Sequence, residues 1–471
     1  MTTTKPTPFP LALLAAALLA TGCAGPHTPY APPAATVPAQ WAHGSAAQDG
    51  VVTAPRGAVA ATGAWWTAFN DPALDRLVAL ALERNNSLAA ATIRVRRAQL
   101  QAGLAAHNLR PQFTGGVSAS AARPLDGGPS SRGASLNLGA SYEVDLWNRL
   151  GSLRDVAQWE AVATAEDREA TAQALAGTTA TLYWQLALLR QRLDVGADSV
   201  AYAERTLALV RVQYRAGAVS SLEVSEAEQS VSSQRASLAL LEQQQVEAAN
   251  ALALLFDGSL PDAAKAAPRR LPDGPLPPVA EGVPAELLAR RPDVRAAELR
   301  LRSSYANIEA TRASFYPALT LTGGLGSSSV ALLNLLQNPV ASLGMGITLP
   351  FLQQTRMDLS IRVSQATYEE AVVNFRQTLY QAFADVDNAL SSRRQTAEQA
   401  AALEQSLAAA RNAERLYETR YRLGAVALRV WLDAQERRRS IENSLAQVRY
   451  NELAGQATLY RVLGGGTATA G

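Results

Sequence analysis

Cysteine occurs once in the 471 residues, at Cys23, and histidine only three times. No disulfide can close within the chain, and too few ligands remain for a Cys/His metal site. Two of the histidines, His27 and His43, fall in a Pro/Ala-rich N-terminal stretch. The motifs G-x-S-x-G, G-x-x-x-x-G-K-[ST] and H-E-x-x-H are missing, as is an intact G-x-G-x-x-G. An enzymatic reading therefore has little to start from: no catalytic residue, no cofactor and no metal is expected. Charge of one sign is lacking too. With 43 Lys+Arg against 41 Asp+Glu, the formal net charge is +2, which gives no reason to expect a nucleic-acid partner. Proline is absent from Ser130 to Leu260 and from Phe351 to the C-terminus, and it clusters at 261–292.

The first residues, "MTTTKPTPFPLALLAAALLATGC", carry one basic side chain, a short apolar run and small residues leading to Cys23. That pattern is an export signal, too short to span a bilayer. "LLATGC" resembles a bacterial lipobox, with the signal removed at 1–22 and Cys23 lipidated as the first mature residue; the alternative is an ordinary signal peptide with a chance cysteine. Ala24 rather than aspartate after the cysteine resembles the signals for outer-membrane delivery. Acyl chains contribute about 0.8 kcal/mol per buried CH2, so several together hold firmly. Residues 23–64, rich in Pro, Ala, Gly and Thr, read as an extended, poorly packed segment.

Beyond it the chain repeats itself. At a constant offset of 206 residues, Arg84/Arg290, Ala90/Ala296, Ala91/Ala297, Arg94/Arg300, Arg96/Arg302, Pro111/Pro317 and Thr114/Thr320 are identical. The hexapeptides "YRAGAV" (214–219) and "YRLGAV" (421–426) follow at offset 207. The organisation expected is a first repeat at 65–260, a Pro-rich connector at 261–283, a second repeat at 284–463 and a tail at 464–471. The proline-free stretches are rich in Ala, Leu, Gln, Glu and Arg, a helix-forming composition. Helices are expected from about Ser152 to Arg215 and from about Leu352 to Arg422. At 1.5 Å per residue each is about 100 Å long and needs a partner helix. A helix of about 38 residues follows Gly217 and Gly424. These glycines are then the turns of two helical hairpins whose tips share one end of the molecule.

Between the helices lie short alternating segments: "PQFTGGVSASA" (111–121), "ASLNLGASYEVDLW" (134–147), "PALTLTGGLGS" (317–327) and "SLGMGITLPF" (342–351). In the last, Leu343, Met345, Ile347, Leu349 and Phe351 share one face, and small or polar residues share the other. Lengths near ten residues suit tilted transmembrane strands. Phe113, Trp147, Tyr316 and Phe351 stand where the strands meet the helices and read as part of an interfacial aromatic belt, or alternatively as core aromatics at strand ends. Four strands enclose no barrel, and open sheet edges are excluded from hydrocarbon. Several copies must therefore pool strands, giving eight, twelve or sixteen.

Together "WWTAFNDPALDRLVALALERN" (65–85), "YEVDLWNRL" (142–150), "GVPAELLARRPDVRAAELRL" (282–301) and the two tips resemble the outer membrane factors, the TolC-like channels of bacterial tripartite efflux pumps, in their lipoprotein branch. The resemblance runs from about Trp65 to Leu463. It implies a mostly α fold with a transmembrane β portion. Long hairpins form a periplasmic α-barrel, and four strands per chain contribute to a homotrimeric, twelve-stranded barrel in outer-membrane lipid. It also implies two partners, a periplasmic adaptor and an inner-membrane pump of the resistance–nodulation–division type. Gly217, Ala218, Val219, Gly424, Ala425 and Val426 match the stretches an adaptor contacts. Asp433 and Glu223 match acidic positions of a periplasmic gate, with Arg429 beside Asp433. Val430 stands where some relatives carry another aspartate, so the ring of charge is reduced here. Arg429, Asp433 and Arg437 share a helix face. Such pairs form either an ordinary solvated face or, repeated around a narrow axis, a latch or ion screen. The function expected is a passive exit duct for drugs or other small toxic compounds. The alternatives are a conduit for exported polypeptide and a structural envelope lipoprotein.

Overall fold

The computed structural model describes residues 30–31, 33–34, 36–44, 63–265, 268–279, 284, 290–330, 336–337 and 339–465. Cys23 and the signal segment lie outside them, as does the tail beyond Gly465. In chain order the elements are α1 (Pro72–Arg84), α2 (Asn86–His107), β1 (Gln112–Ala122), β2 (Ser131–Val144), α3 (Arg149–Arg215), α4 (Ser221–Ala253), α5 (Pro292–Ala313), β3 (Ala318–Ser329), β4 (Pro339–Thr348), α6 (Gln354–Arg422) and α7 (Leu428–Val462). The long helices α3 and α6 have 67 and 69 residues, and their partners α4 and α7 have 33 and 35, a few fewer than the sequence suggests. No described helix is long and apolar enough to cross a membrane.

Two compact units result, and each draws on both repeats. One gathers Ile93–Ala165 and Ala296–Gln377; the other gathers Thr36–Thr92, Glu166–Arg295 and the chain from Thr378 onward.

The first unit holds the sheet. Its order is β1-β2-β3-β4, every pair antiparallel. The register places Phe113, Val117, Leu136, Leu138, Leu319, Leu321, Leu325, Leu343, Met345 and Ile347 on one face. That face is bare: Leu343 is 92% exposed and Val117 71%. The opposite face carries Thr114, Ser118, Ser135, Asn137, Thr320, Thr322 and Ser342 among glycines. A Cβ at Gly139 would sit 2.8 Å from Thr114 Oγ1, and one at Gly344 2.8 Å from Thr322 Oγ1, so each hydroxyl occupies the space its glycine leaves. Neither β1 nor β4 has a partner on its outer side among the described residues.

Strand ends differ from the sequence limits for local reasons. β2 stops at Val144 because Asp145 turns away to cap α3, its carboxylate accepting from Leu150 N (3.1 Å) and Gly151 N (2.8 Å). Glu143, the single charged residue on the polar face of the strands, is forked by Arg149 at 3.0 and 2.7 Å. β4 stops at Thr348, and Leu349 and Phe351 fall beyond it. Pro350 has no N–H to give a ladder and opens a 3-10 turn instead. The four aromatics flank the same end of the sheet, since antiparallel β1 and β3 begin where β2 and β4 finish. Trp147 and Tyr316 are joined, with ring centroids 5.1 Å apart and Trp147 Nε1 donating to Pro317 O at 2.9 Å. Phe113 stands free at 79% exposure.

The second unit is helical. Asp71 caps α1, accepting from Ala73 N and Leu74 N, and takes a 2.7 Å hydrogen bond from Tyr183 Oη. Around it Trp65 stacks on Tyr460 and Phe69 packs on Trp184, which accounts for the aromatic-rich start of the repeat. Arg291 is buried and held by Asp293 (3.0 and 2.7 Å), Asp385 (3.2 Å) and the Ala382 carbonyl (3.3 Å), which fastens the start of α5 to α6. The N-terminal segment is better packed than its composition implies. Trp41 is buried edge-on to Phe383, and His43 meets Asp387 through its backbone N (2.9 Å) and Nδ1 (2.6 Å). In the first unit Tyr30 packs on Tyr305 and under Arg302. Aromatics scattered in a Pro/Ala-rich stretch supply enough apolar area to dock it.

Candidate gate at the hairpin tips

Both tips close by the same backbone device. Gly217 has φ +74° and Gly424 +73°, left-handed values that cost glycine nothing. At the first, Gly217 N donates to Tyr214 O and Ala218 N to Gln213 O (3.0 and 2.9 Å). At the second, Gly424 N donates to Tyr421 O and Ala425 N to Arg420 O (2.9 and 2.9 Å). Gly217, Ala218, Gly424 and Ala425 are exposed, whereas Val219 and Val426 turn inward. They join a cluster of buried Val210, Ala227, Tyr421, Leu428 and Trp431 that draws on all four hairpin helices, so the two tips form one body. Tyr421 stacks on Trp431 at 5.2 Å and donates from Oη to Gln213 Oε1 at 2.7 Å, tying the second hairpin to the first. Burial, and after it the Glu223 carboxylate, raises the Tyr421 pKa.

The three charged candidates have separate surroundings. Glu223 sits at the third position of α4 and accepts from Ser220 N (3.0 Å) and from the Ser220 hydroxyl, while Leu222 N donates to Ser220 Oγ at 3.2 Å: a capping box. The Ser220 hydroxyl holds its carboxyl below the usual carboxylate range. Arg429 is 72% exposed and reaches two carboxylates at 3.9 Å, Glu226 and Asp433. Asp433 is itself 55% exposed, and Arg437 turns to its backbone carbonyl rather than to its carboxylate. The tips thus bring Arg429 and Asp433 together and leave Glu223 engaged with its own helix end. Tyr421, Gln213 and Trp431 are the contributors that sequence reasoning missed. Tyr421 was within view, because a tyrosine begins both hexapeptides.

The Outer membrane efflux protein family model matches residues 77–257 and 283–465. The chain belongs to that family. A pyoverdine export outer membrane protein, OpmQ of Pseudomonas putida, is 34% identical over 416 residues, covering 85% of this chain and 88% of the relative. Toxin and drug export protein A of Aggregatibacter actinomycetemcomitans is 30% identical over 402 residues, with 85% and 88% covered. The crystal structure of the open state of the Neisseria gonorrhoeae MtrE outer membrane channel superimposes with a TM-score of 0.78 at 28% identity, covering 94% of this chain and 98% of that one.

As an outer membrane efflux protein, the chain is an efflux channel component of the outer membrane, and its mostly helical fold with one four-stranded sheet is the fold of such channels. Among the described residues no group of three or more His, Cys, Asp or Glu side chains is gathered as a metal ion requires.

Proposed function

We propose that the chain is the passive exit duct of a tripartite efflux pump, three copies pooling four strands each into a twelve-stranded barrel. The observation that carries this reading is the open sheet. Its apolar face is exposed and both edges lack partners among the described residues, a state that hydrocarbon tolerates only after closure with other copies. The apolar face then meets lipid, the Thr/Ser/Asn/Gly face lines the lumen, and Phe113, Trp147, Tyr316 and Phe351 mark the interface. Lipidation of Cys23 adds an anchor in the same membrane. The exposed tip residues Gly217, Ala218, Gly424 and Ala425 are the adaptor's contacts, with Val219 and Val426 beneath them setting their presentation. The adaptor and an inner-membrane pump of the resistance–nodulation–division type draw the tips apart, with Asp433 and Arg429 at the aperture and Glu223 supporting it as a cap. The repeats at 65–260 and 284–463 are then the two halves of each protomer's wall.

A planar-bilayer recording on the purified full chain, paired with a view of the assembled particle, tests this. Three copies and a conductance that rises on Tyr421→Phe are expected. A stable solitary subunit whose own segments cap the sheet edges ends the proposal. A second reading is a conduit for exported polypeptide, and the Aggregatibacter relative is named as a toxin and drug export protein. Export of a polypeptide that depends on this chain, without loss of small-compound efflux in its absence, would favour that reading.

A further inference from the structure

Arg192, in the distal half of α3, is a half-buried cation whose hydrogen-bond partners among the described residues are all neutral. Its Nη2 donates to Asn443 O at 3.1 Å and to Gln447 Oε1 at 2.9 Å, both on α7. Its Nε is buried and has no hydrogen-bond partner among the described residues. Burial lowers its pKa, and no carboxylate acts on it in opposition. A guanidinium is a fixed charge with five donors, and desolvating it without an anion is unfavourable.

The same side chain lines an open groove of about 520 Å³. Apart from Val448 and Glu436, the remaining wall is made of amides and hydroxyls: Gln399 from α6, and Ser440, Asn443, Ser444, Gln447 and Asn451 from α7. Their spacing of three and four residues sets them along one helix face. The one carboxylate in the lining, Glu436, is engaged by Arg439. It precedes Asn443 by seven residues, about 10 Å along the helix. The groove therefore offers a guanidinium whose hydrogen-bond partners among the described residues are neutral, with hydrogen-bonding side chains around it and its one carboxylate paired to Arg439.

We propose that this groove is a binding site for a carboxylate, with the Arg192 guanidinium supplying the charge and the α7 amides and hydroxyls completing the coordination. The carboxylate is either a small free anion or a side chain of a neighbouring copy. The site is separate from the tips and does not rest on the efflux reading.

Calorimetric titration of acetate into the purified full chain in detergent tests it, with the assembled particle imaged in parallel. Saturable uptake of acetate is expected, about tenfold weaker in Arg192→Gln, as the loss of one charge-assisted hydrogen bond implies. Ser444→Leu fills the groove while leaving Arg192 and its bonds in place, and the same loss is expected there with an unchanged melting temperature. If the carboxylate comes from a neighbour, the image shows it within hydrogen-bond reach of Arg192, acetate does not bind, and Arg192→Gln weakens assembly. Equal acetate binding by the wild type and both variants overturns the site. So does the absence of both acetate uptake and a neighbouring carboxylate.

Discussion

The two tips are spelled YRAGAV and YRLGAV, turn at glycines with φ within a degree of each other, and still place the same tyrosine in opposite surroundings. Tyr421 is 6% exposed in the tip cluster, whereas Tyr214 is 49% exposed. The difference comes from outside the hexapeptides. At the shared offset of 207, Trp431 stands opposite Val224, Ala427 opposite Ser220 and Val430 opposite Glu223. The first tip is thus secured locally, by the capping box of Ser220 and Glu223, while the N-cap of the second, Ala427, makes no side-chain bond. The second tip is secured by packing, through Trp431 and Tyr421. One tip holds its own helix end, and the other holds on to its neighbour. Two near-identical turns therefore have different sensitivities, and each substitution below is paired with its counterpart in the other repeat.

The largest effect is expected at Trp431. Trp431→Ala empties the centre of the cluster and should destabilise it by about 3–5 kcal/mol, against about 1 kcal/mol for Val224→Ala. Chemical denaturation of the assembled protein measures the difference, and equal losses would erase the asymmetry. Next is Tyr421→Phe, which removes the hydrogen bond to Gln213 for about 1 kcal/mol, while Tyr214→Phe should change nothing measurable. This pair also has a pH signature. Burial raises the Tyr421 pKa above the ordinary tyrosine value of 10.0, so as pH climbs past that value the unfolded chain ionises first. The stability Tyr421 contributes is complete below that point and is lost as pH rises through its folded pKa. The advantage of wild type over Tyr421→Phe should shrink accordingly in alkaline melts.

These asymmetries mark how far the sequence could be read. The proline-free helices, the turns at Gly217 and Gly424, and the four strands are local matters, and their limits agree to within a few residues. Where the limits moved, a side chain moved them: Asp145 capping α3 and Pro350 ending the ladder. The S-x-x-E of the first tip was equally legible as a cap, which places Glu223 in its own helix end as well as in a candidate gate. Which tyrosine turns inward was not legible, because that depends on a neighbouring hairpin distant in sequence. Nor did composition reveal Trp41 docking on Phe383, or Arg192 losing its solvent: one aromatic in a Pro/Ala-rich segment and one arginine in a helix carry no periodic signal.

Ser220→Ala should cost the first tip about 1 kcal/mol, and Ala427→Ser should return a similar amount to the second. Hydrogen exchange at the first turns of α4 and α7 reads this directly. The wild-type α7 turn is expected to exchange faster, and the paired substitutions should reverse the order. Unchanged exchange in both would mean that packing, not capping, governs both tips.

The smallest expected effect on stability is at the charges. Arg429 lies 3.9 Å from Asp433 and 3.9 Å from Glu226, and these two acids occupy equivalent positions of the two repeats. With 72% of its side chain in water, Arg429 gains little from either contact, and Arg429→Ala should change stability by only a few tenths of a kcal/mol. Conduction is a different quantity. If three copies bring these charges around one axis, removing Arg429 leaves Asp433 and Glu226 to set the local potential, so cation preference should increase, and increase more at low salt, where screening is weakest. Reversal potentials in asymmetric salt measure it, with Asp433→Ala and Glu226→Ala expected to shift them the opposite way. Identical reversal potentials in all three variants would make this an ordinary solvated helix face and leave the gate to Tyr421 and Trp431.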